Sequence, residues 1–407
     1  MVTPATARAE RLALYIHVPF CRRRCSYCDF YSETDAGDLM PRYLDAVCAE
    51  WRAVVAQELG GRRPRLETIY FGGGTPSLLP PEELARLFEA IAGRAELAGD
   101  AEITLEANPE SVDSRRARLW REAGFNRVSL GVQSLDDGEL HHLGRVHTAA
   151  QAEEAVHVLR RAGFANLGCD FIYGVHPGGS AAYRRSLRTA LAWRPEHVAA
   201  YMLALEESTP LAAAVRKGAW RTAAEDDCVA DYRWTVDHLQ EHGYEAYEIS
   251  NFARAGYRSR HNERYWGREP YVGLGPGAHS LRAGERWSNP PDLAAYIRAM
   301  ARGDRRGLVQ RQHLSPLQVV EERLFLGLRR SEGVSWSATV AGVPDPPAER
   351  LEQARDRLAA AGFLTRKGDR VAVSPGARFV SNAVIVELLA ALDRNLSNAA
   401  LRAAPPA

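Results

Sequence analysis

The chain has 407 residues, of which 46% are apolar and 25% are charged. This composition is ordinary for a globular protein, and the length predicts a core of about 250 to 300 residues with an appended domain. The net charge of +1 excludes the basic footprint of a nucleic-acid-binding protein, so we expect no nucleic-acid partner.

The sequence contains no run of 18 or more apolar residues, which predicts that no helix spans a membrane. Residues 1–12 carry charges and lack the apolar segment of a secretory signal. Six cysteines without such a signal are typical of a reducing compartment rather than of a disulfide framework. We therefore expect a cytoplasmic protein without a transmembrane segment.

Short apolar runs alternate with amphipathic segments up to about residue 205. The predicted strands are Leu12–His17, Glu67–Phe71, Glu102–Glu106, Arg127–Gly131, Leu167–Ile172 and His197–Leu203. The predicted helices are Pro41–Glu58, Pro81–Ile91, Ser114–Glu122, Ala149–Arg161 and Tyr183–Ala192. This alternation indicates an α/β fold with a parallel sheet or barrel, in which functional residues gather at the carboxyl ends of the strands.

The pattern changes after residue 205. Cys228–His242 is predicted as a helix, Tyr247–Asn251 as a strand that closes the first domain, and His261–Trp266 as a polar, aromatic loop. A glycine-rich stretch, Val272–Ser280, follows this loop.

The tail has the helix, helix, hairpin order of a winged-helix-like unit. Its predicted elements are the helices Pro316–Arg329 and Ala348–Ala361, the hairpin Phe363–Val373 and a last helix Ala377–Leu392. We therefore divide the chain into a first domain of residues 1–250, a connecting segment of residues 251–315 and a C-terminal domain of residues 316–407.

A group of cysteines with the spacing Cys-x3-Cys-x2-Cys follows the first predicted strand. Its members are Cys21, Cys25 and Cys28. Thiolates select zinc, copper(I) or iron–sulfur clusters, and a structural zinc would need a fourth ligand from His17 or Cys48 at an unusual spacing. A [4Fe–4S] cluster held by three cysteines leaves one iron open for a small molecule, and Arg22–Arg24 would balance its charge. The spacing favours this open cluster, with zinc and inert thiols as alternatives.

Special residues also follow the next predicted strands. They are the run Gly72–Pro76, then Glu106, Gln133 and Asp170. Glycines let the backbone approach a ligand closely, and carboxylates can accept hydrogen bonds from hydroxyl or amino groups. Taken singly, the glycine run could be a tight turn and each carboxylate an ordinary ion-pair partner. Their common position beside the cysteines favours one ligand site.

With these residues the chain resembles the radical S-adenosylmethionine (SAM) superfamily, in which Cys-x3-Cys-x2-Cys binds a [4Fe–4S] cluster whose open iron is chelated by SAM. It further resembles the coproporphyrinogen oxidase-like branch, which includes oxygen-independent coproporphyrinogen III dehydrogenases and the heme chaperone HemW. The resemblance implies a partial (β/α)6 TIM-like barrel with a C-terminal winged-helix-like α+β domain. The matching motifs are Tyr15–Cys21, Tyr70–Ser77, Gly131–Ser134, Leu143–Arg145, Asp170–Gly174 and Leu205–Pro210.

The resemblance also implies roles for single residues. By position, Cys21, Cys25 and Cys28 resemble the cluster ligands. Tyr15 and Tyr27 resemble residues that flank the cluster and its bound cofactor. The residues that resemble SAM contacts are Gly73, Gly74, Thr75 and Glu106. The residues that match the dehydrogenase positions for a second SAM are Gln133, Arg145 and Asp170.

Three features separate the chaperone from the dehydrogenase. The dehydrogenases resemble Cys-x3-Cys-x2-Cys-x-Cys, whereas this chain has Phe30 at the last position. They also carry a longer segment before the first strand. Finally, His261–Trp266 resembles the His-Asn-x-x-Tyr-Trp motif of HemW-like proteins, which is associated with heme binding, so His261 is a predicted heme ligand. The alternative is a structural histidine in a hydrogen-bonded loop.

We interpret the chain as a heme chaperone that binds a [4Fe–4S] cluster, SAM and heme. The resemblance implies a heme-acceptor protein and a reducing electron donor such as flavodoxin or ferredoxin as partners. One alternative is a coproporphyrinogen III dehydrogenase, in which the cofactor performs the difficult radical step. Another is a zinc-stabilised barrel without catalysis.

Overall fold

The computed structural model describes residues 10–34, 36–176 and 178–392. Six parallel strands form its centre, and each is largely buried because elements cover both faces of the sheet. They are β1 (Arg11–Val18), β2 (Arg65–Gly73), β3 (Glu96–Ala107), β4 (Arg127–Gln133), β5 (Leu167–Tyr173) and β6 (His197–Met202). The six predicted strands are confirmed, although β3 begins at Glu96 rather than Glu102.

Helices follow these strands in turn. They are α1 (Met40–Gln57), α2 (Pro81–Ala92), α3 (Ser114–Glu122), α4 (Asp137–His142), α5 (Ala149–Arg161) and α6 (Gly179–Leu191). Asp113 caps α3, and Thr148 forms a capping box with Gln151 at the start of α5, so free backbone N–H groups find acceptors. The short helix α4 was not predicted; its start is capped by Asp136.

The next elements extend the sheet on both sides. They are α7 (Pro210–Arg216), α8 (Glu225–Glu241), β7 (Glu245–Ala246), β8 (Asn251–Ala253), α9 (Arg260–Trp266), β9 (Tyr271–Leu274), β10 (His279–Arg282), β11 (Glu285–Ser288), α10 (Leu293–Ala301), α11 (Arg305–Leu308) and β12 (Gln310–His313). The strand order is β12-β11-β10-β9-β1-β2-β3-β4-β5-β6-β8-β7. The predicted α/β fold with a six-unit partial barrel is confirmed.

Two local predictions were wrong. Residues 247–250 form a turn between β7 and β8, not a strand, because the Glu248 carboxylate accepts hydrogen bonds from the Ser250 N–H and the Asn251 amide. Residues 261–266 belong to helix α9 rather than to a loop, because Ser259 caps the helix by accepting from the Asn262 N–H. The glycine-rich stretch contains β9 and the start of β10.

The C-terminal part of the described chain has its own core. Its elements are α12 (Pro316–Gly327), β13 (Val334–Ser335), α13 (Trp336–Val340), α14 (Pro347–Ala360), β14 (Leu364–Lys367), β15 (Arg370–Val373) and α15 (Ser381–Leu392). The strands form a small sheet in the order β13-β15-β14, which gives the predicted winged-helix-like order of helices and hairpin. The domain boundaries at residues 250 and 315 stay predictions.

Within the described residues, the segment Pro375–Leu392 is long and apolar enough to cross a membrane, by length and composition only. This segment contains Arg378 and Glu387, so it is not an uninterrupted apolar run. The share of it that is buried is 39%, and Val384 and Leu388 pack in the C-terminal core. Such packing is typical of a core helix.

A buried carboxylate joins the sheet extension to the first helix. Glu50 of α1 is fully buried, and it accepts hydrogen bonds from the Gly275 N–H at 2.9 Å and from the side chains of Asn289 and Tyr296 at 2.8 and 2.7 Å. The Arg305 guanidinium lies 3.7 Å from the same carboxylate. One side chain therefore holds the segment after β9, the segment after β11, and helices α10 and α11.

We expect Glu50→Ala to lower the free energy of unfolding by about 3–5 kcal/mol, because it leaves several buried donors and a buried arginine without their acceptor. Urea unfolding followed by circular dichroism measures this loss. Glu154→Ala, in an exposed ion pair with Arg161, is the control and should change stability by less than about 0.5 kcal/mol. A loss below about 1 kcal/mol for Glu50→Ala would contradict the proposed role of the carboxylate.

Candidate functional site

The cysteine loop, residues 19–34, leaves the carboxyl end of β1 and carries Cys21, Cys25 and Cys28. Backbone hydrogen bonds close the loop on itself and attach it to later segments. The Cys21 N–H donates to the Glu33 carbonyl at 3.0 Å, and the Ser26 N–H donates to the Leu143 carbonyl at 3.1 Å. The Ser26 carbonyl accepts from the Leu211 N–H at 2.8 Å. The loop is thus fixed by chain that follows β4 and β6.

The three thiols are half-buried and form no disulfide. Their sulfur atoms do not all lie within 4.8 Å of one another. Sulfur ligands of a single zinc ion would lie about 3.8 Å apart, since each Zn–S bond is about 2.3 Å long. The wider spacing favours a multi-iron cluster over one zinc ion. Burial raises the pKa of Cys28 to about 11, so metal binding must displace a proton there.

Arg145 supplies the positive charge beside the cysteine sulfurs. Its guanidinium lies 3.5 Å from Cys25 Sγ and donates to the Asn108 side chain at 2.6 Å and to the Gly131 carbonyl at 2.9 Å. It is buried, whereas Arg22–Arg24, which were expected to balance the cluster charge, are exposed. A buried guanidinium held on three sides places a fixed positive charge beside the predicted cluster ligands.

The glycine run after β2 lies directly against the cysteine loop. The Gly74 N–H donates to the Val18 carbonyl and the Thr75 N–H to the Phe20 carbonyl, both at 2.8 Å. A Cβ added at Gly74 would lie 2.8 Å from the Phe20 carbonyl oxygen and 3.1 Å from Cys21 Sγ. Position 74 requires glycine because the backbone of the glycine run contacts the backbone of the cysteine loop directly.

Two neighbours of this run complete the contact. Gly73 has a φ of +110°, and a Cβ there would lie 2.7 Å from the His17 imidazole. The Thr75 hydroxyl lies 3.6 Å from Cys21 Sγ and accepts from the Asn108 amide at 3.1 Å. The predicted SAM contacts Gly73, Gly74 and Thr75 thus line the space beside the first predicted ligand.

Glu106 lies at the carboxyl end of β3, under the glycine run. Its carboxylate accepts from the Tyr70 hydroxyl at 2.7 Å and from the Gly73 N–H at 3.1 Å. Burial raises the pKa of Glu106 to about 7, against the lowering effect of these hydrogen bonds. The group is therefore balanced between its neutral and charged forms near neutral pH.

Asp170 and Gln133 lie on the neighbouring strands. The Ser129 hydroxyl donates to the Asp170 carboxylate at 3.2 Å. Burial raises the pKa of Asp170 to about 6, while the Arg127 charge lowers it. Gln133 has a φ of +64°, and its amide nitrogen and the Arg145 guanidinium both lie within 3.2 Å of the position of a Cβ added at Gly131. Gln133 and Arg145 therefore face the same space.

The two predicted flanking tyrosines lie in different places. Tyr27 belongs to the cysteine loop and packs against a small apolar cluster of Leu143, Ile172 and Val175. Tyr15 points into the barrel interior, where its hydroxyl lies 3.1 Å from His17 Nδ1 and its ring stacks on Tyr70 at 6.2 Å. Tyr27 is thus part of the cysteine loop itself, whereas Tyr15 belongs to β1 below it.

His261 lies inside the barrel, away from the cysteines. It is 1% exposed, and its ring stacks on Tyr70 with centroids 5.0 Å apart. Its Nδ1 lies 2.8 Å from the Thr68 hydroxyl, and its Nε2 lies 2.9 Å from the Tyr265 hydroxyl. Thr68 precedes the glycine run at Gly73 by roughly 16 Å of strand. This is the arrangement of a structural histidine, and heme ligation stays a prediction.

Two site residues were not predicted as such. Asn108 joins Thr75 to Arg145, and only its place just after the third predicted strand could have indicated this. Arg127 is 1% exposed in the barrel interior, where its charge acts on Glu106 and Asp170. A single arginine at the start of an apolar run gives no signal in sequence, since most arginines there end at the surface.

Comparisons with known proteins agree along most of the chain. Residues 15–178 match the Radical SAM superfamily, and residues 314–380 match the HemN C-terminal domain. The heme chaperone HemW of Lactococcus lactis is 35% identical over 79% of this chain and 82% of its own length. The heme chaperone HemW of Mycobacterium tuberculosis is 36% identical over 93% and 95%, respectively.

Two further relatives widen this comparison. A mitochondrial protein of Bos taurus, radical S-adenosyl methionine domain-containing protein 1, is 36% identical over 80% of this chain and 75% of its own length. Among solved structures, Escherichia coli coproporphyrinogen III oxidase (HemN), a radical SAM enzyme, has a TM-score of 0.79. It is 20% identical, and the match covers 93% of this chain and 90% of that one, so this likeness concerns the fold.

We expect Gly74→Ala to lower the iron content after reconstitution to about half or less of wild type, since overpacking costs about 1–3 kcal/mol and the new Cβ meets backbone that cannot move freely. Iron and sulfide analysis measures this. Gly99→Ala is the matched control, because a Cβ there meets nothing within 4 Å. Equal iron content in the two variants would show that the close contact is not needed.

We expect Glu106→Gln to gain stability relative to wild type as the pH rises. A carboxyl whose pKa rises from 4.5 to about 7 on folding stabilises the folded state fully below pH 4.5 and loses this contribution up to pH 7. The shift corresponds to a relative gain of about 3 kcal/mol across this range. Urea unfolding at several pH values measures it, with Glu89→Gln on α2 as the control. A pH-independent difference from wild type would contradict the raised pKa.

Proposed function

The chain belongs to the radical SAM superfamily and, within it, to the family of the heme chaperone HemW, and from this membership we propose that it binds heme and passes it to an acceptor protein. The proposal is supported by the identity to HemW chaperones over most of the chain. It is carried by one residue of the cysteine loop, Phe30, which stands where the dehydrogenase pattern has a further cysteine.

The radical SAM domain implies a [4Fe–4S] cluster and SAM. We propose that the cysteines of the loop hold three irons and that Gly73–Thr75 and Glu106 receive the amino and carboxylate groups of SAM at the fourth. When reduced, such a cluster can cleave SAM to a radical. The residues fit this use, since the three sulfurs are spread apart and Arg145 supplies a buried positive charge.

Phe30 favours a role in holding a porphyrin rather than in chemistry on it. Its side chain is 49% exposed, and the same loop carries the exposed Arg22–Arg24. An exposed aromatic ring offers an apolar face to a macrocycle, and arginines offer partners for its propionates. These exposed cations also suit an acidic electron donor, such as flavodoxin or ferredoxin, whose approach would weaken with salt.

His261 has features of a heme ligand whose Nε2 is occupied by a hydrogen bond. Burial lowers its pKa to about 3, so the imidazole stays neutral. Both contacts are satisfied when Nδ1–H donates to Thr68 and the Tyr265 hydroxyl donates to Nε2. A donor bond at Nδ1 is typical of metal-ligating histidines. We propose that Nε2 binds heme iron only after α9 moves and Tyr265 releases it.

We therefore expect opposite effects from two substitutions. His261→Ala should lower heme affinity at least about tenfold, since an axial ligand is lost. Tyr265→Phe should raise it about fivefold, because Nε2 no longer has to give up a hydrogen bond worth about 1 kcal/mol. Titration followed at the Soret band measures both. If the two variants bind heme as the wild type does, His261 is structural; if the wild type shows no saturable 1:1 binding, the chaperone proposal fails.

The dehydrogenase alternative has its own test. The cluster-loaded protein is incubated anaerobically with coproporphyrinogen III, SAM and a reductant, alongside the heme titration. We propose a chaperone, so no protoporphyrinogen should form. Its formation would overturn the preference drawn from Phe30. Cytoplasmic location stays a prediction.

A further inference from the structure

Outside the cysteine site, one group of side chains among the described residues has the donor set and spacing of a metal site. It consists of His238, Glu241 and His242, whose ligand atoms all lie within 4.8 Å of one another. The residues occupy the last turn of α8 and its cap. Positions i, i+3 and i+4 lie on one face of a helix, so the helix itself brings the three together. No contact of Cys21, Cys25 or Cys28 is involved.

The hydrogen bonds of His242 leave one nitrogen free for a metal. Its Nδ1 lies 2.8 Å from the His238 carbonyl, which can only accept, so Nδ1 carries the proton and Nε2 carries the lone pair. Metal-ligating histidines commonly donate their second ring N–H to a carbonyl in this way. The His242 side chain is exposed, so an ion can reach it from solvent.

His238 faces the same point. Its ring centroid lies 4.4 Å from that of His242, and its Nδ1 lies 3.8 Å from the Glu241 carboxylate. Stacking on Trp234 at 4.6 Å fixes the ring plane. Its buried Nε2 has no hydrogen-bond partner among the described residues. Burial and the charges of His242 and Arg188 lower the pKa of His238, which favours the neutral imidazole that metals bind.

The helix end adds a favourable field. The carbonyls at the end of α8 place partial negative charge there, although those of Leu239 and Gln240 accept from the backbone N–H groups that follow the helix. Arg188 opposes a cation here, and the Glu241 carboxylate offsets that charge. Two imidazoles and one carboxylate are donors that late first-row divalent ions such as zinc accept, with positions left for water.

We propose that His238, Glu241 and His242 form a second metal site, which binds one divalent zinc-class ion at the carboxyl end of α8. The site is independent of heme and of the iron–sulfur cluster. It lies just before β7, where Ala246 accepts hydrogen bonds from Ser331 and Arg378 of the C-terminal part. A bound ion would stabilise the last turn of α8, because all three ligands belong to that turn and its cap.

The test uses the cluster-loaded protein, in which the loop cysteines are occupied. We expect it to bind one equivalent of Zn²⁺ by calorimetry. With Co²⁺ we expect the absorption of nitrogen and oxygen ligands without thiolate-to-cobalt bands. His238→Ala/His242→Ala should abolish this binding. His157→Ala, an exposed histidine on α5, is the matched control and should bind as wild type does.

Further readouts separate loss of the site from loss of the fold. The double variant should keep its cluster absorbance and heme binding, because neither residue contacts the cysteine loop or His261. If it does not fold, the exposed Glu241→Gln replaces it and should weaken Zn²⁺ binding at least about tenfold, as expected when a ligand is neutralised. Wild type that binds no Zn²⁺, thiolate bands with Co²⁺, or full binding by the variants would each overturn the proposal.

Discussion

The candidate site depends on a contact between two backbones that leaves no room for a side chain. At the carboxyl ends of β1 and β2, the Gly74 and Thr75 N–H groups bind the carbonyls of Val18 and Phe20. This contact places the glycine run against Cys21 Sγ and lets Gly73 donate to Glu106. The cysteine loop, the run and the third strand are therefore fixed relative to one another before any cofactor binds, which is the condition for a preorganised site.

Beneath this contact the barrel interior is polar. The residues near the cysteine loop differ from those near helix α9. Tyr15, Tyr70 and Glu106 form a layer under the cysteine loop, and His261 lies below that layer on the side of α9. Arg127 spreads positive charge among the buried carboxylates. The Tyr70 side chain connects the two parts, since its hydroxyl donates to Glu106 and its ring stacks on His261.

Much of this arrangement could be predicted from sequence. The cysteine motif and the glycine run Gly72–Pro76 each follow a predicted strand. Because parallel strands place their carboxyl ends together, this predicted that both belong to one ligand site. Sequence patterns do not predict local structure or side-chain contacts that depend on residues far away along the chain. Helix α9 looked like a loop, since its burial depends on Thr68 and Glu102, which are far away in the sequence. Arg145 matched a dehydrogenase position for a second SAM, and only the fold shows that it lies 3.5 Å from Cys25 Sγ.

The position of β1 in the sheet has a consequence for biosynthesis. This strand carries the cysteine loop, yet it lies between β2 and β9, and β9 begins at Tyr271. Glu50, in the helix that follows the loop, is satisfied by Gly275, Asn289 and Tyr296. A ribosome must therefore make about two thirds of the polypeptide before the first strand has both its neighbours. Until then β1, whose carboxyl end carries the cysteine loop, has no β9 beside it, so the sheet that supports the loop is completed only as the last third of the chain is made.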